Sequence, residues 1–220
     1  MIKSNDCINF QKSERRALKV AKGEAREQLL KTAETLFAEH GVDAVSLRAI
    51  NAEAGVSPGV LHYHFGSREV LLAELISRRM EDLYTNIEDR LQLLKQRPQP
   101  TVQGVVESFV LPLAELAISR GESGRRYLRF LARLSVDNSD ILLEVSARYH
   151  KTYANITSLL EIAVPTAYPD RLAFSLSCSY HIALQQLALL ASFDNNTFSL
   201  SPRQKVRSLT AFLVAGLGAE

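Results

Sequence analysis

The sequence predicts an all-α fold, with an N-terminal three-helix domain and a larger helical domain after it. Apolar residues recur at helical spacing through most of the 220 residues, whereas runs of β-branched residues that would indicate strands are few. Glycine and proline, ten and seven in number, fall mainly between these periodic segments. Hydrophobic residues make up 46% of the chain, which is enough to build a buried core.

The N-terminal end of the chain is basic. Residues 1–31 contain eight Lys or Arg and four acidic residues, a net charge of +4, although the whole chain carries only +2. We expect residues 1–22 to be a flexible basic arm exposed to solvent, and an arm that contacts an anionic partner is the alternative. The first helix is predicted from about Glu24 to His40, where Gly41 ends it.

Residues 23–68 are predicted to form a helix-turn-helix domain that ends in two short helices. Ser46 is suited to cap the first of these, and Gly55 ends it because glycine tolerates positive φ. Ser57 is expected to cap the second, with Pro58 at the first helical position, where a missing N–H costs nothing. Two short helices joined by a glycine-containing turn make a helix-turn-helix.

The second short helix is predicted to bury Leu61 and Phe65 against the rest of the domain. Its other face is small, polar and aromatic, which suits insertion into a groove. That outward face comprises Pro58, Gly59, Val60, His62 and Tyr63.

Two other motifs in this stretch are excluded as catalytic or metal sites. Residues 55–59 read G-x-S-x-G, the nucleophile elbow of α/β-hydrolases, but a helix rather than a strand precedes them. The residue after Ser57 is Pro58, which has no backbone N–H for an oxyanion hole. His62 and His64 point to different faces of a helix and have no further ligand nearby in sequence, so we expect no metal.

The stretch resembles the DNA-binding domain of the TetR family of bacterial transcriptional regulators. The matching segments are LFAEHGVDAVSLRAIN, AGVSPGVLHYHF and GSREVLLAEL, within roughly residues 25–80. Beyond them the resemblance is one of helical pattern only. It implies that the second short helix enters the DNA groove. For the basic arm, the alternative to a solvent-exposed tail is contact with phosphates or with the minor groove.

The resemblance also implies roles for individual side chains. Phosphate contacts fix position and base contacts give sequence specificity. Because Gly59 and Val60 offer no side-chain hydrogen bonds, readout would rest on Arg48, on His62 and on apolar contact with thymine methyl groups. The residues expected at base edges are Arg48, Pro58, Gly59, Val60 and His62, and those expected near phosphates are Ser46, Tyr63, His64 and Arg68, with Ser57 at the start of the helix.

Residues 69–220 are predicted to form the larger domain. Ser67 should cap a helix that runs to about Lys95, where the sequence RPQP breaks it. The helices expected after it cover approximately 102–119, with Pro112 inside, then 124–136, 140–163, 169–193 and 202–216. The last two are apolar on more than one side, so a second subunit is expected to cover them, and the family resemblance implies a homodimer built from such helices.

The larger domain is predicted to hold a small-molecule pocket. Several polar side chains lie on helices that are otherwise too apolar to face water, so their partners should be internal. The tentative effector-binding residues are Phe109, Arg129, Tyr153 and His181, with a kink at Pro112 near the pocket. The family resemblance implies a small, largely apolar effector.

We therefore expect a cytoplasmic, homodimeric repressor that binds double-stranded DNA at a pseudo-palindromic operator and is released by an effector. Cys7 and Cys178 are expected to be free thiols, no signal peptide is visible, and no segment is predicted to span a membrane. No cofactor-binding loop is visible, so neither a cofactor nor enzymatic activity is expected. The alternative is a helical small-molecule-binding or adaptor protein whose helix-turn-helix is only structural.

Overall fold

The computed structural model describes residues 23–136, 140–190 and 199–219, and these residues form helices joined by turns and short loops. The all-α prediction is confirmed for this part of the chain. The predicted arm, residues 1–22, lies outside it. Contacts divide the chain into a first unit, Met1–Leu71, and a second unit, Leu72–Glu220.

The first unit contains three helices and the first turn of a fourth. Helix α1 covers residues 23–40, α2 covers Leu47–Glu53, α3 covers Val60–Phe65, and α4 begins at Arg68. Gly41 ends α1 at a φ of +85°, a conformation that favours glycine. The three helices close on a small apolar core that contains Leu29, Ala33, Phe37, Ile50, Leu61 and Phe65.

The second unit is a helical bundle. Helix α5 lies at its centre and packs on four others, α6, α8, α9 and α10. Thr101 caps α5, and Ser201 forms a reciprocal capping box with Gln204 at the start of α10. The helices are α4 (Arg68–Lys95), α5 (Val102–Ser119), α6 (Gly121–Val136), α7 (Asp140–Ala147), α8 (His150–Ala163), α9 (Pro169–Ala188) and α10 (Pro202–Gly218).

Helix α5 is also the one described helix that is long and apolar enough to cross a membrane by length and composition. Its apolar side chains, among them Val105, Phe109 and Leu113, are buried against the surrounding helices. Pro112 lies inside this helix and is buried. At Gly124 of α6, a Cβ would lie 1.9 Å from the Leu116 carbonyl oxygen of α5. Only glycine therefore permits α5 and α6 to pack this closely.

The prediction of one helix over residues 140–163 is wrong, because two helices meet at Tyr149. Tyr149 has φ −106° and ψ +15°, and its ring stacks on Tyr84 of α4 with ring centroids 4.0 Å apart. This tertiary stack replaces helical continuation, and local periodicity could not have revealed it. Helix α9 also ends earlier than predicted, at Ala188, and residues 191–198 lie outside the described part of the chain.

Candidate nucleic-acid interface and cavity

Helices α2 and α3 are joined by a tight turn whose backbone is fixed at both ends. Ser46 caps α2 as predicted, since its hydroxyl accepts a hydrogen bond from the Ala49 N–H at 3.1 Å. Gly55 has a φ of +66°, and the next residue, Val56, donates its N–H to the Asn51 carbonyl at 3.0 Å. The predicted helix-turn-helix is therefore present.

The side chain of Asn51 bridges α2 and α3. It is 4% exposed, and its amide donates to the carbonyls of Leu47 and Pro58, both at 3.1 Å. Its Oδ1 accepts from the Leu61 N–H at 3.3 Å. Sequence reasoning missed this residue. The available signal was a polar amide on the inward side of α2, three residues before the apolar Ala54.

The start of α3 differs from the prediction. The helix begins at Val60, with Gly59 as its N-cap, and Pro58 lies in the preceding turn rather than at the first helical position. Ser57 contributes its carbonyl, which accepts from the Val60 N–H at 3.0 Å, so its predicted role as N-cap residue is wrong. A proline and a glycine in succession favour a turn, and that preference shortens the helix by two residues.

Four of the five residues predicted for the outward face are exposed, and the fifth, Val60, is half-buried. Leu61 and Phe65 are buried, and Val60, His64 and Arg68 are half-buried. Tyr63 is 68% exposed and packs edge-on against the His64 ring, with centroids 5.1 Å apart. The exposed predicted residues are Ser46, Arg48, Ser57, Pro58, Gly59, His62 and Tyr63.

The two predicted basic contacts differ in environment. Arg48 on α2 is exposed, whereas Arg68 at the start of α4 is half-buried. The Arg68 guanidinium lies 5.8 Å from the centroid of the Phe37 ring, and one of its terminal nitrogens is buried without a hydrogen-bond partner. Arg68 thus packs against the core of the first unit, and its role at phosphates stays a prediction.

A cavity of about 360 Å³ lies in the second unit. Three of the four tentative effector residues, Phe109, Tyr153 and His181, line its wall. The remaining described residues around it are mostly apolar and come from α4, α6, α7, α8 and α9. They are Met80, Tyr84, Ile87, Leu131, Leu134, Ser135, Leu142, Leu143, Ser146, Ile156, Leu176, Ser177, Tyr180 and Leu184.

Arg129, the fourth predicted effector residue, does not line this cavity. It pairs with Glu122 on its own helix, as does Arg125 at 3.1 Å. The hydrogen bond from Arg129 is the main reason that the pKa of Glu122 lies below its ordinary value, and the charge of Arg125 adds to it. Pro112 is buried but does not line the cavity either. Sequence periodicity could not show that Arg129 finds its partner seven residues back.

Tyr84 and Tyr180 are half-buried and form a hydrogen-bonded pair in the cavity wall. Burial raises the pKa of Tyr84, and it raises the pKa of Tyr180 well above the ordinary value, so both phenols are neutral at physiological pH. The Tyr180 ring also packs against Phe109, with centroids 6.2 Å apart. Tyr84 was not among the predicted effector residues, because nothing in the α4 sequence distinguishes it from a core tyrosine.

Helices α9 and α10 carry an exposed apolar groove of about 480 Å³. Phe212 is 65% exposed beside it, and Phe174 on α9 is 72% exposed. Leu187, by contrast, is only 1% exposed and belongs to the core of the subunit itself. The groove is lined by Ile182, Gln186, Leu187, Leu190, Leu200, Lys205, Ser208, Leu209 and Phe212.

These features define a helix-turn-helix regulator with an attached helical domain, and comparison with known proteins assigns the family. Residues 29–75 match the family model "Bacterial regulatory proteins, tetR family", and residues 107–216 match "Tetracyclin repressor-like, C-terminal domain". The chain belongs to the TetR family of bacterial transcriptional regulators. The predicted resemblance is confirmed, and it extends into the second unit.

Individual relatives match shorter stretches. The chain is 41% identical over 59 residues to the transcriptional repressor KstR2 of Rhodococcus jostii, covering 27% of this chain and 29% of that protein. It is 30% identical over 95 residues to the transcriptional activator FasR of Mycolicibacterium smegmatis, 43% of each chain. The chain thus covers less than half the length of these relatives.

The fold is shared over a longer span. The solved structure of AibR, in complex with isovaleryl coenzyme A and operator DNA, superposes with a TM-score of 0.60 at 17% identity. That superposition covers 86% of this chain and 98% of AibR.

Proposed function

We propose that this protein is a homodimeric repressor that binds a pseudo-palindromic operator through α3 and leaves it when a small, largely apolar molecule fills the cavity. The observation that carries the proposal is the exposed outer face of α3, held in place by the buried side chain of Asn51. A helix presented in this way matches the docking of helix-turn-helix proteins in the major groove.

The proposed contacts divide into two groups. Arg48 and His62 are exposed and carry hydrogen-bonding groups that can distinguish base edges. Ser46 keeps a free O–H to donate to a phosphate, because its oxygen acts as the acceptor in the cap. Tyr63 and His64 are proposed as further phosphate contacts, which contribute affinity without sequence choice.

A binding assay separates these groups. Arg48→Ala and His62→Ala should each weaken binding to a selected operator by about 1–3 kcal/mol and binding to random DNA far less. Tyr63→Phe should weaken binding to both DNAs equally. Fluorescence anisotropy over a range of salt concentrations gives both affinities. Equal losses on operator and random DNA for Arg48→Ala and His62→Ala would show that these residues do not read bases.

Gly59 offers a test that does not depend on hydrogen bonds. Its φ is −83°, and a Cβ there would meet no atom within 4 Å, so the fold does not require glycine. Gly59→Ala should leave thermal stability unchanged or slightly higher. If α3 enters the groove at this point, the added methyl group should still weaken operator binding. Unchanged DNA affinity would indicate that Gly59 does not approach DNA, as expected for a purely structural helix-turn-helix.

The homodimer is supported by the apolar groove beside α9 and α10. Exposed aromatic side chains such as Phe212 and Phe174 are costly in water and favour burial against a second copy. Two reading helices related by a two-fold axis would contact half-sites about one helical turn apart, roughly 34–36 Å.

Release by an effector requires that the ligand bind more tightly to a conformation that cannot hold the operator. AibR was solved with both a small molecule and operator DNA, so this fold accommodates both kinds of partner. In this protein α4 contributes Met80, Tyr84 and Ile87 to the cavity wall. We propose that a bound ligand displaces α4. As a DNA-binding regulator the protein would act in the cytoplasm.

A further inference from the structure

The described wall of the cavity contains no carboxylate, ammonium or guanidinium group. Among the described residues that line it there is no Lys, Arg, Asp or Glu, and its only imidazole is that of His181. A ligand in this cavity is therefore offered aliphatic groups, aromatic rings, hydroxyls and one imidazole.

Such a wall discriminates against ions. A carboxylate or phosphate brought into it would lose much of its hydration and meet no Lys or Arg, with only the His181 imidazole available to pair with it, so the transfer is costly. An ammonium group could be stabilised only by aromatic faces. Two of these rings are already engaged, because Tyr84 stacks on Tyr149 and Tyr180 packs against Phe109. Among its described residues the wall also supplies no carboxylate as a counter-ion.

Besides the hydroxyls of Ser135, Ser146, Ser177 and Tyr153, the wall offers hydrogen bonds at the Tyr84–Tyr180 pair and at His181. Tyr84 and Tyr180 form a hydrogen bond with each other. One of their two O–H groups donates in this bond, so the other remains available to donate to a ligand. At His181, the Nδ1 atom lies 2.7 Å from the Ser177 carbonyl oxygen and must carry a proton to donate to it. Its Nε2 is then an acceptor in the neutral ring. The cavity can thus donate to a ligand oxygen and accept from a ligand hydroxyl.

We infer that the effector is an uncharged, mostly apolar molecule bearing a hydroxyl or carbonyl group, which the Tyr84–Tyr180 pair recognises. This inference rests on the proposed function, because it takes the cavity as the effector site. It sets this cavity apart from one that accepts free carboxylates, phosphorylated thioesters or quaternary amines.

A ligand series with a constant apolar body tests the inference. We would measure Kd by calorimetry, and thermal stabilisation in parallel, for naphthol, naphthoate, naphthylmethylammonium and naphthalene at neutral pH, with n-decanol and n-decanoate as a linear pair. The alcohols should bind at least about tenfold more tightly than the matched ions, a difference of roughly 1.4 kcal/mol. Naphthoate, decanoate or the ammonium binding as tightly as the alcohols would overturn the inference, as would failure of both alcohols to bind.

Variants of the tyrosine pair identify the recognising group. Tyr180→Phe should lower the ratio of naphthol affinity to naphthalene affinity about threefold to tenfold, the range expected for one lost neutral hydrogen bond. Tyr84→Phe should do the same. The control is Tyr149→Phe, which removes a phenol from the neighbouring stacked ring that does not line the cavity, and it should leave the ratio unchanged.

A ratio that stays constant in both Tyr84→Phe and Tyr180→Phe would refute the role of the pair, whereas a packing defect would weaken naphthol and naphthalene equally. Operator affinity of the ligand-free protein is measured separately by anisotropy. Intact DNA binding together with the wrong ligand preference would refute this inference alone. Absence of DNA binding would refute the proposed function.

Discussion

Replacing Asn51 by alanine should loosen α3 without touching any exposed residue. The side chain makes three hydrogen bonds from a site that is 4% exposed, two to carbonyls and one from the Leu61 N–H. Each is worth about 1 kcal/mol net, and the buried groups left behind lose their partners. We therefore expect Asn51→Ala to destabilise the first unit by about 3 kcal/mol.

A second change at the same position tests the geometry itself. Asn51→Asp keeps an acceptor for the Leu61 N–H but turns a carboxylate oxygen towards the carbonyls of Leu47 and Pro58. Aspartate should therefore be at least as destabilising as alanine, although it is nearly isosteric with asparagine. A control is Asn86→Ala, which removes a half-buried amide on α4 that donates to Glu115 and accepts from Arg90. It should cost clearly less than Asn51→Ala, because both partners remain accessible to water.

Urea denaturation followed by circular dichroism measures the stability change, and hydrogen exchange of residues 56–66 localises it to the turn and α3. Exchange in this segment should accelerate in both Asn51 variants and stay unchanged in Asn86→Ala. Stability within about 0.5 kcal/mol of the original protein, with unchanged exchange at Leu61, would refute the view that Asn51 holds α3 in place.

Three further changes test the second unit. Phe212→Glu should dissociate the proposed dimer in sedimentation experiments, because an unpaired charge would be buried. Leu93→Glu, on the exposed face of α4, should leave the dimer intact, and an intact Phe212→Glu dimer would place the interface elsewhere. Gly124→Ala should lower the free energy of unfolding by about 3 kcal/mol, because its Cβ would overlap the Leu116 carbonyl. Gly216→Ala, whose Cβ would meet no atom within 4 Å, should not destabilise in the same thermal unfolding experiment, and equal effects would argue against a close contact of α5 and α6. Arg129 and Arg125 lower the folded-state pKa of Glu122, so its contribution to folding stability is present above the unfolded value near 4.5 and is lost as pH falls through the folded pKa. Glu122→Gln should therefore destabilise the protein at pH 7 and be as stable as the original protein in acid, and a pH-independent difference would contradict this.

Local signals in the sequence predicted the helix-turn-helix well. Ser46 and Gly55 are residues whose roles depend on one turn of chain, and the structure confirms both. The burial of Leu61 and Phe65 also followed from spacing alone. The error at Ser57 and Pro58 came from a competition between two local signals, helix start and turn, that sequence alone does not rank.

Side-chain contacts between different helices could not be predicted from the sequence. The bridge from Asn51 to Leu61 joins two helices, and the stack of Tyr149 on Tyr84 breaks a helix that periodicity favours. Both depend on side chains brought together by packing rather than by sequence spacing. Analysis of periodicity finds residues that follow the apolar pattern of a helix. Asn51 and Tyr149 matter because they depart from that pattern.

The same reasoning explains why the cavity was predicted only in part. Tyr153 and His181 were predicted as its lining because polar groups on apolar helices need internal partners, and Phe109 was predicted as part of its apolar wall; all three line it. Arg129 met the same criterion and yet lies outside, because Glu122 on its own helix satisfies it. The long, charged side chain of an arginine can reach a carboxylate two turns away on its own helix. A tyrosine is neutral and forms no such ion pair. Arg129 is therefore a weaker guide to this cavity than Tyr180, whose phenol bonds to Tyr84 of another helix within the cavity wall.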